Sequence, residues 1–599
     1  MRRSHEMPFG TRALPHGVEF RLWAPSTPSV GLWTPQGEFD MEFQEGWHRH
    51  VLEGARAGQA YRFRVRDDLL VPDPASRFQP EDVEGPSLVV DPEAYVWADG
   101  EWKGRSWEEA VIYETHLGSA TPEGTFAAFA DKLEGLRDLG FTAIELMPLA
   151  DFPGKRNWGY DGVLPYAPDH TYGTPDDLKA LVDRAHGLGL MTILDVVYNH
   201  FGPSGNYLPA YAGEFFTSRH RTLWGAGINY DGVGAQAVRD FFIHNALYWL
   251  EEYHFDGLRF DAVHAIADDS ERHFVAELAE RIRSAIVGRP VHLILENADN
   301  SARWLERTKG VPSLHTAQWS DDVHHAWHRL LTGEDDGYYV DYADPVAHLG
   351  RCLAEGFAYQ GEISAHERKA RGEPSAHLPP SAFVAFLQNH DQIGNRAFGE
   401  RLGHLAEPNR LALARAGLLL SPQIPLVFMG EEWGASTPFQ FFVDFPDAEL
   451  TKAVREGRRR EFESFGRFKD ELVRERIPDP TVSETFSVSL LDWSEPDRPP
   501  HSQILAETRE LLRVRREKVV PLTKSGFGGA RWSRPAPDVL DVIWRFDAGT
   551  LRFIANFGNE TFGFSGAEGE QPIWPAKKPI QPGSIRLAPW TGMMLARPL

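Results

Sequence analysis

The sequence predicts an α/β protein: a (β/α)8 TIM barrel with an N-terminal β-sandwich and a C-terminal antiparallel β domain. From about residue 110, eight apolar segments of strand length alternate with segments of helical period, the rhythm of a parallel sheet wrapped by helices. The first ninety or so residues and those after about 520 lack that rhythm and read as short strands cut by Pro, Gly and Asp. A doubly wound open sheet is the alternative, but no Gly-rich phosphate turn follows any strand.

The N-terminal strands are "VEFRLWAP", "SVGLWTP", "GWHRHVLEG" and "AYRFRVRDD", rich in β-branched and aromatic residues. They suggest an immunoglobulin-like sandwich over residues 1–95, followed by a Trp- and Pro-bearing connection. The barrel is expected over 96–520, its strands drawn from "AVIYETHLG", "FTAIELMPL", "LMTILDVVYNH", "FDGLRFDAV", "VHLILEN", "LHTAQWSDD", "SAFVAFLQNHD" and "IPLVFMGEE". Between them lie amphipathic segments such as "TPDDLKALVDRAHGLG", with Thr174 as N-cap and Pro175 at the first helical position. The charged stretch 450–468 reads as a helical insertion with a solvated face, and 521–599 as a closing β domain.

Composition narrows the function classes. The chain has 599 residues, 42% hydrophobic and 25% charged, enough for two to four domains with ample core. A net charge of −24 argues against nucleic acid, whose binders concentrate Lys and Arg. The single cysteine, Cys352, excludes an internal disulfide. No run approaches the ~18 apolar residues of a membrane span, and "MRRSHEMPFG" carries no apolar h-region, so a cytoplasmic protein is expected.

The chemistry is expected at the C-terminal ends of the strands, where a barrel of this type carries its site. There the apolar segments turn polar: Asp195, Asn199 and His200 after the third, Arg259 and Asp261 on the fourth, Glu296 on the fifth, and Asn389, His390 and Asp391 on the seventh. Arg259 and Asp261 are two residues apart and share one strand face. Asp261 and Glu296 come from neighbouring strands, compatible with the separation of about 5–5.5 Å at which one carboxylate attacks an acetal carbon and the other protonates the leaving oxygen. A cation beside the nucleophile keeps it ionised, a role for Arg259. Glu296 lacks an equally close cationic neighbour in sequence, and a raised pKa suits a general acid.

The segments "DVVYNH", "GLRFDAVHA", "ILEN" and "FLQNHDQ", in this order and on these strands, resemble the four motifs of the α-amylase superfamily of retaining glycoside hydrolases, family 13. The resemblance covers roughly 105–520, and the N-terminal sandwich resembles the modules that precede the barrel in branching and debranching enzymes. It implies Asp261 as nucleophile, Glu296 as general acid/base and Asp391 as the transition-state carboxylate. It further implies that Arg259, His200 and His390 hold the reacting glucose and the catalytic groups, with Tyr160 as aromatic platform and Asp161 beside it. Asn199 matches a calcium-binding position of many α-amylases. The short loop "FGPSGNYLPAYAGEFF" offers few further oxygen ligands, so no metal is expected.

Longer stretches, "DFPGKRNWGYDGV", "VVYNHFGPSGNYL", "NHDQIGNRAFGERL" and "PLVFMGEEWGASTPFQFF", are similar to the branch of that superfamily that releases trehalose from maltooligosyltrehalose. This implies an oligosaccharide substrate, no cofactor, and a maltooligosyltrehalose synthase acting in the same pathway. A branching or debranching enzyme and a catalytically inactive glucan-binding protein are the competing readings. Candidates for recognising the trehalose end are Asp321, Asp322, Arg396, Glu431 and Glu432 on loops after strands, with Trp158 and Tyr207 as stacking surfaces.

Overall fold

The computed structural model describes residues 1–66, 68–222, 225–464, 474–575 and 584–598. Eight parallel strands close a barrel in chain order: β1 (Ile112–Thr115), β2 (Ala143–Leu146), β3 (Met191–Val196), β4 (Gly257–Phe260), β5 (His292–Leu295), β6 (Ala317–Trp319), β7 (Phe383–Ala385) and β8 (Ile424–Phe428). Each lies within the segment expected for it. Their short, fully buried apolar runs are the pattern of strands covered on both faces.

Before the barrel, two small antiparallel sheets form the N-terminal layers. One runs in the order Gly10–Leu14, Gly17–Trp23, Trp47–Glu53, Glu42–Gln44. The other runs Gly37–Asp40, Gly31–Thr34, Ala60–Arg66, Leu69–Val71, with Ser87–Leu88 added to Ala60–Arg66. After the barrel, five antiparallel strands from Phe527–Ala536 to Thr591–Pro598 form the C-terminal sheet. That sheet packs on helix Pro345–Glu355: Trp544 donates its indole N–H to the Leu353 carbonyl at 2.7 Å, and Gly350 leaves room for the Trp532 ring.

Helix Pro175–Gly187 begins with the expected Thr174 cap, completed into a capping box by Asp177. The charged insertion forms helix Ala448–Glu461; residues 465–468 of that stretch lie outside the described residues. Its expected solvated face has one exception. Arg458 is buried and donates to the carbonyls of Gly394 and Arg396, bracing the loop after β7. Among the described residues, no helix is long and apolar enough to cross a membrane.

The N-terminal end of the barrel is plugged by the connection that precedes β1. Trp107 packs with Ile112, Ile193, Ile294 and Leu426 in the barrel interior and donates its indole N–H to Ser381. Trp102 stacks on His186 and donates to Asp256, which lies just before β4. Buried Asp256 also accepts from the Thr192 amide and from His186 Nε2, while His186 Nδ1 bonds Asp99. With carboxylates on both ring nitrogens, the charged form of His186 is favoured. Burial alone would lower its pKa, but Asp256 and Asp99 raise it above 6.5. Burial alone would raise Asp256, yet bonds from His186 and its charge hold it below 3.8.

The signs follow from linkage. The raised His186 contributes stability fully below pH 6.5 and loses it as pH rises through its folded value. The depressed Asp256 contributes above 3.8 and loses it as pH falls through its own. Asp256→Ala strands the Trp102 indole, the Thr192 amide and the His186 ring together, and is expected to cost about 3–5 kcal/mol in urea unfolding near neutral pH. A loss below about 1 kcal/mol, the worth of one ordinary hydrogen bond, would contradict this account.

Candidate active site

The register of the barrel assembles the site. β3 pairs with β4 so that Asp195 lies opposite Arg259, and β4 pairs with β5 so that Arg259 lies opposite Ile294. Asp261 follows β4 directly, its amide donating to Val196, and Glu296 follows β5, its amide donating to Phe260. Ala262 then adopts the left-handed conformation (φ 41°, ψ 48°), disfavoured for a residue with a Cβ. In that conformation its amide donates to Glu296 Oε2 at 2.9 Å. Strain of this kind, about 1–3 kcal/mol, persists only where the surroundings over-determine it.

Arg259 is the hub. Its side chain is fully buried; Nη1 donates to Asp195 Oδ2 at 2.6 Å and Asp261 Oδ1 at 2.9 Å, and Nη2 to Glu296 Oε2 at 2.8 Å. The guanidinium lies 4.1 Å from the centre of the Trp319 ring, which covers one face. Burial opposes its charge, but Asp195, Glu296, Tyr160 and Asp261 together raise its pKa well above the ordinary arginine value. Glu296, which has no close cationic partner in sequence, receives one from the adjacent strand. Asn199 donates its amide to both the backbone and the side chain of Asp261.

Asp195 accepts from Arg259 and from the Tyr160 hydroxyl at 2.6 Å. Burial, outweighing Arg259, pushes it up to about 7. The Tyr160 ring stacks on His390 at 5.2 Å. His390 bonds Glu114 of β1 through Nδ1, with Asp391 Oδ1 at 3.5 Å from Nε2. Burial would lower His390, but Asp391 and Glu114 raise it to about 9, so it carries a positive charge at neutral pH. Side-chain exposure of 12% for Asp261, 18% for Glu296 and 39% for Asp391 makes Asp391 the most open of the three carboxylates.

The remaining sequence candidates divide. Asp161 and His200 line a cleft of about 450 Å³ with Phe201, Asn206, Phe216 and Ile228. Asp321, at the start of helix Asp321–Thr332, is pushed to about 7 by burial and then by Glu296, so it belongs to the same charged field. Others are structural. Trp158 is buried, stacked on Phe439 with its indole N–H on Gln440, so its ring is packing beneath His390 and offers no open stacking face. Tyr207 associates with Glu84 of the N-terminal region. Arg396 is committed to Glu334 through two bonds of 2.8 and 3.0 Å. Asp322 is buried on Asn300, Ala358 and Arg371. Glu431 and Glu432 are buried behind β8 and raised, chiefly by burial, to about 7 and about 8.

Sequence reasoning missed Glu114, Glu145 and Trp319. Glu114 and Glu145 sit opposite each other in the β1–β2 register. The signal was available: each is a lone carboxylate inside an apolar strand, as Asp261 is at the end of one. Burial, then Glu114 and Asp195, hold Glu145 well above the ordinary carboxylate range. The whole arrangement offers two carboxylates sharing one guanidinium at the C-terminal strand ends of the barrel, a constellation able to carry out two-step displacement at an acetal carbon.

His390 should titrate near 9, and Glu114→Gln should lower that value by more than one unit. Histidine NMR titration checks this. Because the folded value is raised, the Glu114 contribution to stability is present below pH 6.5 and fades as pH rises through about 9. An unshifted His390 in the variant would contradict the pairing.

Residues 90–221 match the alpha amylase catalytic domain family, and residues 528–593 match a domain of unknown function (DUF3459). The malto-oligosyltrehalose trehalohydrolase of Saccharolobus solfataricus is 41% identical over 514 residues, covering 85% of this chain and 87% of that protein. The protein of the same name from Deinococcus radiodurans is 44% identical over 512 residues, covering 84% and 82%. A solved Salmonella typhimurium structure, provisionally assigned as an alpha amylase, is 46% identical, superposes with a TM-score of 0.92 and covers 99% of this chain and 100% of that one. Together with a closed parallel barrel carrying carboxylates at its strand ends, these likenesses mean that the chain belongs to the malto-oligosyltrehalose trehalohydrolase family.

Proposed function

We propose that this protein hydrolyses the α-1,4-glucosidic bond next to the terminal trehalose of malto-oligosyltrehalose, releasing trehalose and a malto-oligosaccharide. Asp261 is the nucleophile, Glu296 the general acid/base, and Asp391 the carboxylate that binds sugar hydroxyls as charge develops. The observation that carries this is the shared guanidinium: Arg259 donates to both Asp261 and Glu296 from adjacent nitrogens.

The donors on Glu296 support its role. Arg259 and the Ala262 amide both bond Oε2, leaving Oε1 to carry the proton. In the first step Asp261 attacks the anomeric carbon of the malto-oligosaccharide, Glu296 protonates the glycosidic oxygen, and the C–O bond breaks to release trehalose. In the second, Glu296 takes a proton from water as its oxygen attacks the same carbon, and the Asp261 ester bond breaks. Two inversions retain the α configuration. Arg259 and the His390 imidazolium offset the negative charge of the surrounding carboxylates, and Tyr160 lies beneath the reacting sugar.

With this reading go a cytoplasmic location, a malto-oligosyltrehalose synthase that supplies the substrate, and domain limits at 1–95, 96–520 and 521–599. Incubation with malto-oligosyltrehalose, malto-oligosaccharide and glycogen, with product identification, tests it. Trehalose from the first is expected; altered α-1,6 branching of glycogen would mean a branching or debranching enzyme, and no cleavage at all a binding protein. Asp261→Asn should reduce kcat on the order of a thousand-fold or more while the protein stays folded. Glu296→Gln should be least impaired on an aryl glycoside whose leaving group needs no proton, and equal impairment on both substrates would refute the acid role.

A further inference from the structure

A second polar cluster lies at the base of the loop that carries Tyr160 and Asp161. This loop leaves and re-enters a two-stranded ribbon, Ala150–Asp151 against Leu164–Pro168. Asp151 sits on the outgoing strand, and Asp169 and His170 follow the returning one. One donor atom from each of the three lies within 4.8 Å of the others. His170 Nδ1 is 3.7 Å from Asp151 Oδ1 and 3.9 Å from Asp169 Oδ1. An ion with ligands at about 2.0–2.2 Å spans donor separations of this order.

Asp151 and Asp169 are 0% exposed. Neither oxygen of Asp151, nor His170 Nδ1, has a hydrogen-bond partner among the described residues, although the His170 backbone amide faces the Asp151 carboxylate. Among the described residues no Lys or Arg pairs with either carboxylate, and a further charge acting on Asp151 is another acid, Asp82. Asp169 is oriented from outside the cluster: the Thr171 amide and hydroxyl donate to Oδ1 and the Phe152 amide to Oδ2. Asp82 is anchored beside it, its Oδ2 accepting from the Gly154 amide at 3.0 Å. Two buried carboxylates facing each other without a cation are held at a high electrostatic cost. A buried carboxylate with unused lone pairs, aimed at a second carboxylate and an imidazole nitrogen, is a donor set that a cation completes.

We propose that Asp151, Asp169 and His170 bind a divalent first-row transition-metal ion, which ties the base of the Tyr160–Asp161 loop together. The imidazole donor selects Mn²⁺ or Zn²⁺ over Ca²⁺ and Mg²⁺, which prefer all-oxygen sites. The site is separate from Asn199, whose amide is engaged by Asp261. Its ligands must be deprotonated, so occupancy rises with pH as carboxyl protons are displaced.

The full-length protein, stripped with a chelator and dialysed, is titrated with MnCl₂ and ZnCl₂ by calorimetry, with bound metal counted by elemental analysis and Tm followed in parallel. One bound equivalent per chain and a Tm that climbs with metal concentration are expected, since a ligand of the native state stabilises it by mass action. Asp151→Asn and His170→Gln should each lose that equivalent and the metal-dependent rise in Tm. The two variants separate the ion from a proton shared between Asp151 and Asp169, because a shared proton does not need His170. Absence of a stoichiometric equivalent in the wild type, or an equivalent retained in both variants, overturns the proposal.

Discussion

The site depends on one buried cation. Arg259 is fully enclosed, and three carboxylates from three consecutive strand ends converge on two of its nitrogens. An isolated guanidinium in such a place would be prohibitively costly, and so would Asp195, Asp261 and Glu296 packed together without it. Each is tolerated because of the others. The planar fork of arginine, with fixed donor directions, also sets where the two carboxylates stand relative to each other. Trp319 and Tyr160 close the assembly from the sides, one through its ring face and the other through its hydroxyl.

A second buried cation, His390, extends the pattern across the barrel. Glu114 of β1 reaches it from behind and Asp391 from the mouth. The result is an alternation of charge around the rim: Glu114, His390 and Asp391 on one side, Asp195, Arg259, Asp261 and Glu296 on the other. Precise placement needs a rigid base, and the opposite end of the barrel supplies it. There Trp107 fills the interior, while Asp256, His186 and Asp99 form another chain of paired charges. The connection before β1 is thus part of the barrel's floor.

Much of this is legible in the amino-acid sequence. A charged residue inside an apolar strand has few structural reasons to be there, and Arg259 and Asp261 announce themselves that way. The positions of Glu296 and Asp391 follow from the same logic, since strand ends of a parallel barrel share one rim. Glu114 and Glu145 carry the identical signal, but no repeated polar strand end accompanied them. What could not be read was pairing between elements. Arg259 and Glu296 are 37 residues apart, and only the β4–β5 register brings them together. Trp158 and Arg396 misled for the opposite reason: residue type suggested sugar contact, while packing against Phe439 and pairing with Glu334 had already engaged them.

The sequence alone determined the order of strands and helices, because hydrophobic periodicity and caps such as Thr174 are local properties. It also determined which strands end in acids, since two-residue alternation fixes the face on which each side chain lies. Tertiary structure decided which acid meets which base, how far each carboxylate opens to solvent, and which aromatic rings have a free face. These depend on strand register and on burial, and both are set by contacts between residues far apart in the chain.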